Sequence, residues 1–383
     1  MSWPMVKLGD VSEPIMGQAP PGTECNKSGQ GTIFVKAGEF GVKFPEVKEW
    51  TTKPLKFAKT GDTLLCVVGA TCGKVNRAIN CSIGRSVAAI RPNTEVLDSS
   101  YLYYFISSWS EKLRLMSQGA AQTVINKDMI NSLEIPLPPL EEQKRIAAIL
   151  DKSDAIRQKR KQAIALSDEF LRSVFLEMFG DPLANPKNHT VRNLGELCNL
   201  ITDGKHGDCE DEENSGYFFV SAKNVRNSEL CLDGSRQINK KEFLEVHKRT
   251  CLEPGALLLV NTGATIGKVA ILPQSEIVSR CTLQKSVAVI KPKKEILNNE
   301  FLMKIIQLRV NDFASKGSGS AIKNLLLSQI REFPIISPSI ESQEKYAAIA
   351  KNVKENTDYL KESGLVLNDF FNALSQKAFS GQL

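Results

Sequence analysis

The sequence predicts two α/β (α+β) globular domains separated by a long antiparallel two-helix coiled coil, the whole built as a pseudo-two-fold internal duplication. Three observations predict it: a repeat at a fixed offset, two textures alternating within each repeat, and a heptad seam in both long helical segments. At 383 residues the chain also exceeds what one hydrophobic core ordinarily serves, since single cores stop growing near ~250 residues.

The repeat is read directly. Ser86-Val87-Ala88-Ala89-Ile90-Arg91-Pro92 recurs 200 residues later as Ser286-Val287-Ala288-Val289-Ile290-Lys291-Pro292. Pro138, Glu141, Gln143 and Ala147-Ala148-Ile149 recur as Pro338, Glu341, Gln343 and Ala347-Ala348-Ile349. Phe170 and Phe179 return as Phe370 and Phe379. Upstream the offset shortens to 194, where Gly69-Ala70-Thr71-Cys72-Gly73-Lys74-Val75 becomes Gly263-Ala264-Thr265-Ile266-Gly267-Lys268-Val269. A unit of this length is far too long for a solenoid repeat, so a pair of domains has been duplicated.

Each unit opens on mixed α/β sequence, residues 1–140 and then 181–340. Thr63-Leu64-Leu65-Cys66-Val67-Val68 and Ala256-Leu257-Leu258-Leu259-Val260 read as buried strands, each after a turn glycine, Gly61 or Gly255. A short helix is expected over Tyr101–Leu115, with its counterpart over Phe301–Phe313. Long helices follow over 141–180 and 341–383. Proline and acidic residues mark their starts: Pro138, Pro139 and Glu141-Glu142 in the first, Pro338 and Glu341 in the second. Ile146, Ile149, Ser153, Ile156, Arg160, Ala163, Ser167, Phe170, Val174 and Met178 recur at spacings of three and four. Tyr346, Ile349, Val353, Asn356, Leu360, Ser363, Leu367, Phe370, Leu374 and Ala378 keep the same register. Two packings are open: each helix against its own globular domain, or the two helices against each other. Gly180-Asp181-Pro182 stops the first helix, and the domain between them supplies enough chain for an antiparallel return. About 38 residues of helix span about 57 Å.

The composition, 42% hydrophobic and 24% charged, is that of a globular protein. No apolar run reaches the roughly 20 residues that cross a bilayer, and the N-terminus lacks the pattern of a signal peptide, so a cytoplasmic protein is expected. Nine cysteines at irregular spacing, with no C-x-x-C pair and only three histidines, read as reduced core residues rather than disulfides or zinc ligands. The net charge of +6 is carried by the globular parts: 15 basic against 12 acidic side chains in 1–140, and 21 against 18 in 181–340. An anionic partner would be gripped there.

Catalytic patterns are missing where they would be sought. Gly69-Ala70-Thr71-Cys72-Gly73-Lys74 has three residues between its glycines where a phosphate loop has four, and Val75 stands where a magnesium-binding hydroxyl belongs. The copy at Gly263–Val269 departs in the same way. The acidic run Asp208-Cys209-Glu210-Asp211-Glu212-Glu213 has no equivalent in the first unit and reads as a solvated loop, not a metal site. His189, His206 and His247 are likewise unpaired by the repeat. No metal ligand and no catalytic residue is assigned.

Two α/β domains, each followed by a long helix, with Pro-Leu-Pro-Pro-Leu-Glu-Glu-Gln at 136–143, resemble the specificity subunit of type I restriction–modification systems. Met178-Phe179-Gly180-Asp181, the closing Lys377-Ala378-Phe379-Ser380-Gly381-Gln382-Leu383 and both Gly-Ala-Thr-x-Gly-Lys-Val turns carry the same likeness. The second copy departs from it at Ser337-Pro338-Ser339-Ile340-Glu341-Ser342-Gln343. The resemblance implies two target-recognition domains, each reading half of an interrupted double-stranded DNA site. The paired helices would set the gap and dock two modification (methyltransferase) subunits, with restriction subunits completing the assembly. S-adenosylmethionine, ATP and magnesium would belong to those partners, and this chain would be a non-catalytic subunit. The alternative from another class is a coiled-coil scaffold with two protein-binding domains and no DNA contact.

Reading DNA needs hydrogen-bonding side chains aimed at base edges and held in place by phosphate contacts. The DNA-contact candidates are polar or basic residues at matching turns. Lys74 and Lys268 follow the glycine turns, and Arg85 and Lys285 precede equivalent strands. Gln118 and Thr123 flank Gly119 as Ser318 and Lys323 flank Gly319. Lys36, and Lys223, Asn224 and Arg226, follow apolar strands at the domain starts. Matching positions are expected to grip phosphates, and positions where the units disagree to choose bases.

Overall fold

The strand that the repeat shares most closely is the centre of each sheet. In the computed structural model, which describes residues 3–117, 124–316 and 323–383, Val87–Pro92 pairs antiparallel with both Ser12–Met16 and Thr63–Cys66. Thr63–Cys66 in turn pairs with Val75–Arg77, giving a four-stranded antiparallel sheet. The second copy repeats it with Cys198–Asp203, Val287–Pro292, Leu257–Val260 and Val269–Ile271. Gly61 and Gly255 enter the third strand of each sheet at φ +99° and +82°, a conformation that favours glycine.

These strands are continuous apolar runs because both of their faces are covered. Side chains alternate across a strand. In the second copy Leu257, Leu259, Ala288 and Ile290 face the helix-lined core, while Leu258, Val260, Val287 and Val289 face a separate cluster with Val220, Cys281 and Leu283. In the first, Leu65, Ala88 and Ile90 face the helices, and Leu64, Val87 and Ala89 face Val35 and Ile83. The second layer is a parallel pair in both copies, Thr32–Val35 with Cys81–Ile83 and Phe218–Val220 with Cys281–Leu283. Beyond it the copies diverge. The first adds short strands at Cys25–Asn26, Trp50–Thr51 and Phe57–Ala58, and the second inserts a helix, Lys240–Thr250.

The helices expected over Tyr101–Leu115 and Phe301–Phe313 are each split in two. Ser99–Ser108 and Asn299–Leu308 are capped by Asp98 and Asn298, whose side chains accept the first free N–H groups. Ser110–Ser117 and Val310–Lys316 follow after Trp109 and Arg309.

The long helices run Leu140–Phe179 and Ile340–Ser380. Gly180 ends the first at φ +76°, and the Lys187 ammonium donates to the carbonyls of Glu177 and Met178 at 2.5 and 3.1 Å, closing the helix end. The chain divides into two units, Met1–Gln162 with Lys361–Leu383, and Ala163–Leu360, so each long helix contributes to both. In the first unit Ile146, Ala147 and Leu150 pack with Phe371, Leu374, Ala378 and Phe379. In the second, Phe175 and Phe179 pack on Tyr346 and Phe301, with ring centroids 4.8 to 6.1 Å apart. Within each unit the start of one helix therefore lies beside the end of the other, an antiparallel pairing, and both also pack on that unit's domain. Truncating Phe179, 1% exposed, would cost about 3–5 kcal/mol.

The seam departs from the sequence pattern at its middle and, in the first helix, on to its end, where Phe175 and Phe179 rather than Val174 and Met178 are fully buried. Ile156, Phe170 and Phe370 are half exposed, and Ala163 and Asn356 are exposed as well. Their neighbours Arg157, Ile164, Leu171, Thr357 and Phe371 take the inner positions. A straight α-helix drifts about 20° per heptad against a strict seven-residue repeat, which carries the seam onto the next residue. Among the described residues, no helix is long and apolar enough to cross a membrane.

Candidate nucleic-acid interface

Antiparallel pairing brings the ends of Ser12–Met16 and Thr63–Cys66 to the same edge as the start of Val87–Pro92. That edge is extended by the glycine turn. Gly69 and Gly73 sit at φ +83° and +90°, and Gly263 and Gly267 at +97° and +91°. A Cβ on Gly73 would meet the Ser110 carbonyl oxygen at 2.7 Å, and one on Gly267 would meet Val310 at the same distance, so each turn closes onto the helix behind it. The amides of Cys72, Gly73 and Lys74 donate to the carbonyls of Gly69, Cys66 and Thr71 at 2.9, 2.9 and 3.1 Å. Gly267 and Lys268 do the same toward Val260 and Thr265. A phosphate loop aims such amides at its ligand; here they are consumed within the turn, and the exposed Lys74 or Lys268 leaves it.

Backbone bonds gather the other segments to this edge. In the first unit Val67 N–H donates to Ser86 at 2.9 Å and Ile125 N–H to Val67 at 2.9 Å. Ala37 N–H reaches the Ser86 hydroxyl at 3.2 Å. Lys36, Lys74 and Arg85 are thus brought together. In the second unit Asn261 N–H donates to Ser286 at 3.0 Å, Gly263 N–H to Lys323 at 2.9 Å and Lys285 N–H to Lys205 at 3.1 Å. Ala222 N–H reaches the Ser286 hydroxyl at 3.3 Å. Lys223, Lys268, Lys285 and Lys323 therefore share the equivalent edge, all four exposed.

The remaining candidates fall differently. Lys36 is held by Glu49, whose hydrogen bond raises the Lys36 pKa and balances its charge. Asn224, 5% exposed, accepts from Ser221 N–H at 2.9 Å and donates to Cys231 O at 2.9 Å and Ser235 Oγ at 2.6 Å. Its amide ties the loop together and leaves no edge for a base. Arg226 lies on the hairpin Val225–Arg226/Glu229–Leu230, its Nε donating to Lys223 O at 2.7 Å. Gln118 and Thr123 lie outside the described residues.

Sequence reading missed Lys205, which joins the second edge and pairs with Glu242 at 2.9 Å; that hydrogen bond raises its pKa. It also passed over the pair that closes each turn onto the incoming chain: Val68 bridges to Val124 in the first unit, and Thr262 to Asn324 in the second. The acidic run is closed by Arg236, which pairs with Asp208 and Asp211 at 2.7 Å each. Those hydrogen bonds raise the Arg236 pKa, and Arg236 in turn lowers that of Asp208. Among the described residues no group of three acidic, histidine or cysteine side chains is placed to hold a metal.

Two copies of one layered domain, each with a long helix and a lysine-rich sheet end, define a duplicated recognition-module architecture. The chain belongs to the type I restriction modification DNA specificity domain family, whose model matches residues 2–166 and again 186–366. A putative type I restriction enzyme MjaX specificity subunit from Methanocaldococcus jannaschii is 37% identical over 181 residues, 45% of this chain and 42% of that protein. The MjaIX specificity subunit of the same organism is 24% identical across 100% of this chain and 93% of its own length. The fold is similar to the type I restriction–modification S subunit from M. genitalium, with TM-score 0.60 at 17% identity, covering 99% of this chain and 96% of that one.

Proposed function

We propose that this chain reads DNA sequence for a type I restriction–modification complex and leaves the chemistry to its partners. Each domain reads one half of a bipartite, asymmetric double-stranded site through its sheet end. The long helices set the gap and dock two modification (methyltransferase) subunits, and ATP-dependent restriction subunits join the assembly in the cytoplasm. S-adenosylmethionine, ATP and magnesium are bound by those partners.

The observation that carries the reading is the pair of equivalent sheet ends. Each presents exposed basic side chains from separate segments, Lys74 and Arg85 in one, Lys268, Lys285 and Lys323 in the other. Long cations at fixed, matching places suit phosphates, which lie at the same spacing whatever the sequence. The test is DNA binding by the complex assembled with its methyltransferase subunit, measured against salt. Removing Lys268 and Lys285 should weaken binding to all sequences alike and flatten the plot of log K against log salt by about 0.9 per lost phosphate contact. An unchanged slope would place the DNA elsewhere.

A further inference from the structure

We propose that Asn324, held in orientation by Thr262, reads an adenine in the half-site of the second unit. This rests on the proposed reading of DNA by the sheet ends.

The two sheet ends share a backbone and differ in chemistry. Val68 and Val124 form an isolated antiparallel bridge in the first unit, and Thr262 and Asn324 form the same bridge in the second. The residues beside them in the strands, Val67 and Ile125, Asn261 and Leu325, are at most 3% exposed. The bridge residues lie at the edge that carries Lys268, Lys285 and Lys323 and are less buried than these neighbours, although Val68 still packs in part on the helix-lined core. Val124 is 40% exposed, and Thr262 and Asn324 are half-buried. Three apolar residues of the first unit, Val67, Val68 and Val124, are thus replaced by Asn261, Thr262 and Asn324. Nothing in the scaffold requires the change, because the valine pair closes the same bridge.

The Thr262 hydroxyl donates to Asn324 Oδ1 at 2.8 Å. With the amide in this orientation its oxygen accepts from the hydroxyl, and the bond holds the amide plane. Oδ1 keeps a second lone pair, and Nδ2 keeps two hydrogens. In the major groove adenine offers an acceptor, N7, beside a donor, N6–H. An amide presenting oxygen and N–H side by side matches both at once. Guanine offers two acceptors, cytosine one donor and thymine one acceptor beside a methyl group, so each leaves half of the amide unmatched. The valine pair of the first unit can offer only apolar contact at the same position, as to a thymine methyl. One bridge therefore makes the two half-sites chemically different.

The test uses the double variant Thr262→Val with Asn324→Val, which installs the pair that the first unit already accommodates. The full chain is co-expressed with its methyltransferase subunit, and methylated positions are mapped across genomic DNA. The variant should lose discrimination at one adenine of one half-site, by roughly 10- to 100-fold, and keep every other position. Thr262→Ala alone should lose less, because the amide survives without its latch. An unchanged motif would overturn the proposal and leave the Thr262–Asn324 bond as a structural tie. So would relaxation at a base other than adenine, or loss of all methylation by a complex that still assembles. Failure of the underlying reading shows separately, as a salt slope that Lys268→Ala with Lys285→Ala leaves unchanged.

Discussion

Gln143 is the side chain whose removal the structure makes most specific. It is fully buried at the start of the first long helix. Its Oε1 accepts from Asp98 N–H at 2.8 Å, and its Nε2 donates to the carbonyls of Val96 and Pro138, both at 2.8 Å. One amide thereby joins the loop before the short helix Ser99–Ser108 to the turn before the long one. Gln343 repeats all three bonds with Asn298, Ile296 and Pro338 at 2.9, 3.0 and 2.9 Å. In Gln143→Ala one buried and two partly buried backbone groups lose their partners, each at up to about 1–3 kcal/mol. Water entering the vacated space offsets part of this, so local opening should become easier by about 3 kcal/mol. At 1.4 kcal/mol per decade, that is about 100-fold faster hydrogen exchange at the Asp98 amide. Native-state exchange on the full chain measures it, and Gln343→Ala should accelerate Asn298 while leaving Asp98 alone. If Asp98 exchanges within about threefold of the parent, the amide is not the tie described.

Asp151 accepts from Lys43 Nζ at 2.8 Å, Arg77 at 2.9 Å and Tyr104 Oη at 2.7 Å. Burial pushes its pKa up, but these partners outweigh it and hold the carboxyl below its usual range. Its contribution to stability is present above about pH 4 and is lost as pH falls through the lowered pKa, so an acid titration followed by tyrosine fluorescence should lose a step in Asp151→Asn; superimposable curves would refute this. Burial raises Cys81, Cys198 and Cys281 to about 12, whereas Cys251 is exposed. A thiol reagent at pH 8 should therefore modify Cys251 first and reach the other three only on unfolding, read by mass spectrometry of digests. Four residues inserted near Ala165 and four near Leu365 turn each helix about 400° and lengthen it about 6 Å, close to two base pairs. Methylation mapping should then show a longer gap or lost modification with unaltered half-site bases; altered bases with the old gap would assign reading to the helices.

What the sequence made legible is what depends on local chemistry. The repeat, the glycine turns and the two helix starts follow from residue type and spacing, and the strands follow from apolar length. Asn224 was illegible because its burial depends on Cys231 and Ser235 returning to meet it. The neutralised state of Lys36 depends on Glu49, thirteen residues away. The seam was legible at the helix starts and displaced beyond them in the first helix, where hydrophobicity singles out Ile156 and Phe170 but the helix turns Arg157 and Leu171 inward, and Phe175 and Phe179 rather than Val174 and Met178 are fully buried. The Thr262–Asn324 pair was visible as a disagreement between the copies. Its position at the lysine-bearing edge required the bridge.

The polar middle of the seam gives the helices something that an apolar seam would lack. In the first unit Arg157 donates to Asn368 Oδ1 at 2.9 Å and lies 4.3 Å from the Phe371 ring centre, and Arg160 donates to the Ser363 hydroxyl. Leucines at these places would pack well in several registers, because a heptad slide replaces one apolar contact by another. A slide here would take both guanidinium groups from their cross-helix acceptors, leaving Arg157 only Asp154 of its own helix at 3.6 Å, and a partly desolvated cation that loses a partner costs more than the bond contributes in place. The arrangement therefore stabilises little and discriminates much. Under the proposed function, helices that set a gap between half-sites need that balance, since a gap is defined only if they pair in a single register.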